Sequence, residues 1–307
     1  MAMTLVEAAK SADNPMASAI IEQYARSSTV LLALPFMEVG GNAWSYNREE
    51  TLPGVGFRGV NEAYTEDVGV LNPITETLAI VGGDLDVDMF ILKTQGEDQR
   101  SVREMMKVKA LAHRFTKAFF KGDSQTDARE FDGLQARLTG SQKISAGSTS
   151  GGTALSLAKL DELIDAVDGA NALFMNRAMR RRLSAAARNT SVGGYITTTL
   201  DAFGREVMAY NNLPIYVVDQ DNSGTEILQF NEAAASGAST ATSIYCVGFG
   251  ETALTGIQNG GIDVRDLGEL EEKPAKRTRV EWYAGIALQT SKCAARLWSI
   301  ADAAVTA

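Results

Sequence analysis

Histidine, cysteine and proline are scarce in this chain: one, two and six of them among 307 residues. A single histidine, His113, leaves little from which to build a Ser-His-Asp triad or a histidine-rich metal centre. Cys246 and Cys293 sit in the apolar contexts SIYCVGF and TSKCAARLW, which read as buried free thiols of a reducing compartment rather than a disulfide. No apolar run approaches the about 18 residues of a membrane helix, and MAMTLVEAAKSADNP lacks the basic start and apolar core of a signal peptide. An unexported chain that does not enter a membrane is expected. A basic field is missing too: the formal net charge is -9, so capture of nucleic acid by the chain as a whole is not expected. The motifs G-x-S-x-G, the P-loop and Cys-x-x-Cys are all absent.

What is present is an ordinary globular composition, 45% apolar and 22% charged, long enough for one large or two medium domains. Residues 1 to 28 read as two short helices broken at Asn14-Pro15, an arm more than a core. An apolar run from Thr29 to Val39 leads into Gly40-Gly41 and a polar, glycine-rich segment, where Trp44 and Tyr46 alternate as in a half-covered strand. ITETLAIVGGDLDVDMF alternates as strand, with a bulge or bend expected at Gly82-Gly83. A helix is expected from about Glu97 to Lys121. Its stripe of Met105, Val108, Ala112, Phe115 and Phe119 would run roughly 36 Å as one structural spine. Ser156 and Asn176 are expected caps of two further helices, the second reaching Arg188. NNLPIYVVDQDNSGTEILQF reads as strand, turn and strand, followed by the strands SIYCVGFG, KRTRVEWYAGIALQT and CAARLWSI. Helices and strands without regular alternation indicate an α+β protein.

Three stretches imitate chemistry. TLPGVGFRGVNEAY places Gly54, Gly56 and Gly59 in G-x-G-x-x-G spacing, but the strand before and the helix after, which a pyrophosphate site requires, are not written there. The glycines read instead as the tip of a long hairpin. Asp84, Asp86 and Asp88, and again Asp219 to Gly224, start like calcium loops, yet the twelfth positions are Gln95 and Phe230 where a bidentate Glu is needed. Strand alternation and a hairpin turn account for them. Arg180-Arg181-Arg182 lies on a helix whose successive residues point about 100° apart, so no flat basic patch follows. No catalytic, cofactor or metal site is assigned, and an enzyme is not expected.

The order of elements, with ITETLAIVGGDLDVD, FKGDSQTDAREFDGL, ALFMNRAMRRRLSAAARN, GREVMAYNNLPIYVVD and KRTRVEWYAGIALQTSKCAARLW, resembles the major capsid proteins of tailed bacteriophages, the Hong Kong 97 fold, from about residue 29 to 300. That resemblance implies an N-terminal arm at 1–40, an extended loop at 41–73, a peripheral domain from 74–150 with 264–302, and an axial domain at 151–263. It implies a structural subunit assembling as hexamers and pentamers into the head shell around a double-stranded DNA genome, made in the host cytoplasm and residing in the virion. Scaffolding, portal and cement proteins would be its further partners, and DNA would be held without sequence specificity. Trp44, Tyr46, Arg48, Phe57, Arg58 and Tyr64 of the extended loop would touch a neighbouring subunit. Some members of this family weld subunits through a loop lysine. From Gly40 to Leu92 this chain has none, so non-covalent contacts are expected. A cellular encapsulin-like shell around protein cargo is the first alternative, and a nucleotide-binding enzyme using the Gly54–Gly59 loop is the second.

Overall fold

The helix Asp98–Lys121 is the element on which the remainder is laid. The computed structural model describes residues 3–4, 28–95, 98–188, 196–200 and 206–306; the two arm helices expected around Asn14-Pro15 lie outside the described residues. Along the spine, Val108, Ala112, Phe115 and Phe119 are buried, as spacing of three and four requires. Met105 shares that spacing but is 46% exposed, so the stripe is covered only from Val108 onward. Phe115 centres a ring cluster, with Trp282 at 4.8 Å, Phe131 at 5.6 Å and Phe36 at 6.0 Å between centroids. The chain enters this core at Ser28, whose hydroxyl lies 2.7 Å from that of Thr116 on the spine. It continues as the short helix Thr29–Ala33, which buries Val30, Leu31 and Leu32.

The described strands form three sheets. In the first, Met3–Thr4, Pro35–Glu38, Leu254–Gln258, Ala275–Leu288 and Asp263–Glu269 follow in order, and Ala79–Asp88 pairs along Ala275–Leu288. The second runs Lys143–Ser145, Ala294–Ile300, Thr242–Val247, Ala172–Met175, Leu213–Val217, Glu206–Tyr210, Ile196–Leu200. It packs Leu160, Leu163, Met179 and Leu183 from the helices Leu157–Asp165 and Arg177–Ala186 into its own core. The third is the hairpin Ala43–Thr51 with Val70–Thr77. These sheets divide the chain differently from the expected domain limits at three segments. Leu254–Gln258 pairs with Ala275–Leu288, whereas Lys143–Ser145 and Ala294–Ile300 pair in the second sheet. The chain changes sheets at the turn after Leu288: the buried end of the long strand, Ala284–Leu288, ladders with Leu254–Gln258, and Ala294–Ile300 ladders with Thr242–Val247.

Several local expectations are met and several corrected. Asn176 caps Arg177–Ala186: its side-chain oxygen accepts from the Met179 N–H at 2.7 Å, and its amide donates to the Leu228 carbonyl at 3.0 Å. Ser156 holds the capping position of Leu157–Asp165 without a capping bond from its hydroxyl. The expected bulge at Gly82-Gly83 is absent, since Ala79–Asp88 pairs residue for residue with Ala275–Ala284. Glycine is required at 82 by close approach instead, because a Cβ there would lie 2.4 Å from the Val280 carbonyl oxygen. The second strand expected before Phe230 shrinks to one bridge, Gln220 to Glu226. The Asp221 carboxylate accepts from the N–H of Ser223 and Thr225 and pairs with Lys117 at 3.0 Å, closing a turn in place of a ladder.

Candidate assembly surface

The hairpin Ala43–Thr51/Val70–Thr77 has a fixed root and a bare tip. At the root, the Trp44 and Tyr46 rings stack 4.8 Å apart and pack against Val39, Ile257 and Ala287 of the same chain. The Tyr46 hydroxyl donates to the Leu288 carbonyl at 2.8 Å. Burial, then the neighbouring Glu76 charge, pushes its pKa up to about 12. Glu76, 9% exposed, receives both ends of the Arg137 guanidinium: one bond joins Nη1 to Oε1, the other Nη2 to Oε2 at 2.7 Å. Arg137 Nε also donates to the Asp132 carbonyl at 2.6 Å, which ties the hairpin to the segment that follows the spine. A bidentate, largely dry pair is the strong form of such a contact.

Beyond Thr51 the ladder ends, and residues 52–69 project. Phe57 is fully exposed, Val55 96% and Val60 93%; Tyr64 is exposed as well. Inside the tip, Gly54 N–H donates to Asp67 at 2.7 Å and Gly59 N–H to Glu62 at 2.8 Å. Arg58 donates to the Glu62 carbonyl at 3.2 Å and lies over the Tyr64 ring at 5.1 Å. The G-x-G-x-x-G spacing is thereby explained without a nucleotide. No helix opens at Gly59, and carboxylates of the tip itself occupy the amides that a pyrophosphate would use.

The six loop residues singled out by sequence therefore separate. Trp44 and Tyr46 are half-buried at the root, against their own chain. Phe57, Arg58 and Tyr64 sit together on the tip. Arg48, between them, lines a cleft of 700 Å³ with the Gln289–Lys292 turn. Sequence reading passed over the exposed Leu52, Val55, Val60 and Val68, although apolar residues inside a glycine- and carboxylate-rich stretch were a readable signal. It also missed Glu76 and Arg137, whose pairing spans 61 positions and leaves no local mark.

Elsewhere the imitated sites resolve into structure. Asp84 pairs with Arg279 at 2.7 Å and Asp86 with Arg277 at 2.6 Å, a cross-strand ladder that draws both carboxyls below their ordinary range. Among the described residues no three His, Cys, Asp or Glu side chains gather as a metal site. Of the arginine run, Arg182 pairs with Asp302 at 2.9 Å. Burial, and then Lys109, pushes His113 down. Both cysteines are buried and free; burial pushes Cys246 up to about 12 and Cys293 to about 11. Among the described residues no helix is long and apolar enough to cross a membrane.

Comparison with known proteins gives this surface its setting. Residues 12–157 match the family model described as Major capsid protein GP7. No curated protein matches the chain. The capsid of the native GTA particle is similar in structure, with TM-score 0.64 and 15% identity over 90% of this chain and 91% of that one. A structure from Mycobacterium phage Bobi gives 0.60 and 14% over 88% and 89%. The SrpI encapsulin complex of Synechococcus elongatus gives 0.61 and 17% over 89% and 88%. At such identities the structural likeness speaks for the fold alone. Residues 12–157 are thus similar to a tailed-phage-type major capsid protein family, and the chain shares the Hong Kong 97 fold of these capsid structures over most of its length.

Proposed function

We propose that copies of this chain close into the icosahedral head shell of a tailed phage, as hexamers and pentamers around a double-stranded DNA genome. The observation that carries the reading is the hairpin: a rigid root holding a tip whose apolar side chains meet only water in one copy. Such a projection is an aggregation hazard in a monomer and an asset in an assembly that covers it. Phe57, Arg58 and Tyr64 contact the neighbouring subunit, with Arg48 at the flank of that contact, while Trp44 and Tyr46 support it from the root. The arm is residues 1–40 and the extended loop 41–73. The peripheral domain is built from 74–150 with 264–302 and the axial domain from 151–263, with Leu254–Gln258 laddered in the first sheet and Lys143–Ser145 and Ala294–Ile300 in the second. The protein is not an enzyme; it assembles in the host cytoplasm with scaffolding, portal and cement proteins and resides in the virion. Each subunit should bury well over the ~1,600 Å² of a standard interface, because loop, arm and both domains contribute.

The likeness to an encapsulin favours a second reading, a shell around protein cargo. Nuclease treatment of purified particles followed by extraction separates the two. Protected double-stranded DNA supports the head shell, and a single co-purifying protein without DNA supports the cargo shell.

A further inference from the structure

We propose that the turn at Asn259 and Gly260 modifies itself: the Gly260 backbone nitrogen closes on the Asn259 side-chain carbonyl carbon, with the Glu38 carboxylate as proton acceptor, and Asn259 becomes aspartate or isoaspartate. No neighbouring copy is needed, since every reacting group belongs to one chain.

Asn259 is the only asparagine of the chain that glycine follows. It lies in the exposed turn between Leu254–Gln258 and Asp263–Glu269, where Gly260 stands at φ +66°. Glycine enters that left-handed region without steric cost. A Cβ at 260 or 261 would meet nothing within 4 Å, so the turn has room to bend, and no side chain crowds the attacking nitrogen. The Gly260 N–H donates to Glu38 Oε2 at 3.0 Å, inside the reach at which a base can take the proton it faces. Glu38 is itself held, because its Oε1 accepts from the Gln258 amide at 2.8 Å. The Asn259 amide is held too, donating through Nδ2 to the Gly41 carbonyl at 2.8 Å. Nucleophile, base and electrophile are thus neighbours in one turn.

In the reaction the Gly260 nitrogen bonds to Asn259 Cγ and the Cγ–Nδ2 bond breaks. The proton passes from Gly260 through Glu38 to the departing nitrogen, which leaves as ammonia. Solvent water then opens the cyclic imide. Opening at the side-chain carbonyl gives aspartate, and opening at the backbone carbonyl gives isoaspartate. One water is consumed and one ammonia released, with no oxidant or reductant.

The product acts on the hairpin. A carboxylate has no N–H to donate, so the tie to Gly41, just ahead of the strand Ala43–Thr51, is lost, and a second anion stands near Glu38. Conversion therefore loosens the base of the projecting loop as the chain ages. Asn222 is an internal comparison. The Ser223 N–H also donates to a carboxylate, Asp221 at 2.9 Å, but Ser223 carries a side chain, whose hydroxyl bonds the same Asp221 oxygen.

Peptide mapping by mass spectrometry tests this on wild-type and Glu38→Gln chains held for weeks near neutral pH, both folded and in urea. Folded wild type should gain the amide-to-acid mass change and isoaspartate at Asn259, ahead of Asn222 and at least as fast as in urea. Glu38→Gln should slow the folded chain by roughly a hundredfold, the lower end of what a positioned base contributes, and change nothing in urea. Equal rates for the two folded chains, or slower conversion of Asn259 folded than unfolded, overturns the assignment. If Glu38→Gln does not fold, the wild-type comparison decides alone. Asn259→Asp, which carries the product's carboxylate, should be cut faster than wild type within residues 43–77 by limited proteolysis. Cutting at the wild-type rate would overturn the effect on the hairpin.

Discussion

Replacing Arg137 by alanine should loosen the hairpin from the body of the subunit, and the size of the effect can be worked out. The guanidinium makes two bonds to Glu76 and one to the Asp132 carbonyl. Its side chain is 17% exposed and that of Glu76 11%, so water screens little of the pair. Removing one partner of a buried pair costs about 3–5 kcal/mol, because the other charge is stranded away from water. The small residual exposure places this case near the lower end, about 3 kcal/mol. The neutral pair Glu76→Gln/Arg137→Met strands no charge and should lie within about 1 kcal/mol of wild type. Urea unfolding of the unassembled subunit measures both. Limited proteolysis should cut Arg137→Ala faster within residues 43–77, since the packing of Trp44 and Tyr46 then holds the root without the ion pair. A loss under about 1 kcal/mol in the single variant, or a double variant less stable than the single, would refute the view that this pair fixes the loop.

Deleting residues 52–60 should leave the thermal transition of the subunit nearly unchanged, since those side chains contact solvent, but sharply reduce particle yield; normal, heat-resistant particles would contradict this. A denaturing gel of mature particles should show one band at 32.8 kDa, because no lysine lies between Gly40 and Leu92 and arginine stays protonated and poorly nucleophilic. A covalent ladder would expose a coupling amine elsewhere. Both thiols should resist a disulfide reagent at neutral pH in the folded chain and react together on unfolding, because burial holds their pKa values near 12 and 11 and the thiolate is the reactive form. Native labelling of either cysteine at the rate of a free thiol would refute their burial.

The elements that could be read in advance are those whose causes are local. The spine helix follows from apolar spacing over Val108 to Phe119, and the Asn176 cap from one residue that bonds three positions ahead. Gly82 was misread because its constraint is the Val280 carbonyl, a backbone group nearly two hundred residues away. The alternation of Asp84 and Asp86 announces a strand, yet only the fold supplies Arg279 and Arg277 opposite them. Trp44 and Tyr46 show the same limit. Alternation marks a covered face, but not whether the chain itself or a neighbour covers it, and here Val39, Ile257 and Ala287 do so. The tip was legible for the converse reason: Phe57 lies in a run with no periodicity that could bury it, and it is bare.

Electron microscopy of the purified protein, with scaffolding protein supplied, tests the central claim most directly. The account expects closed icosahedral particles whose facets resolve into hexamers and whose vertices resolve into pentamers of this chain. A field containing only monomers and dimers across salt and pH would contradict it.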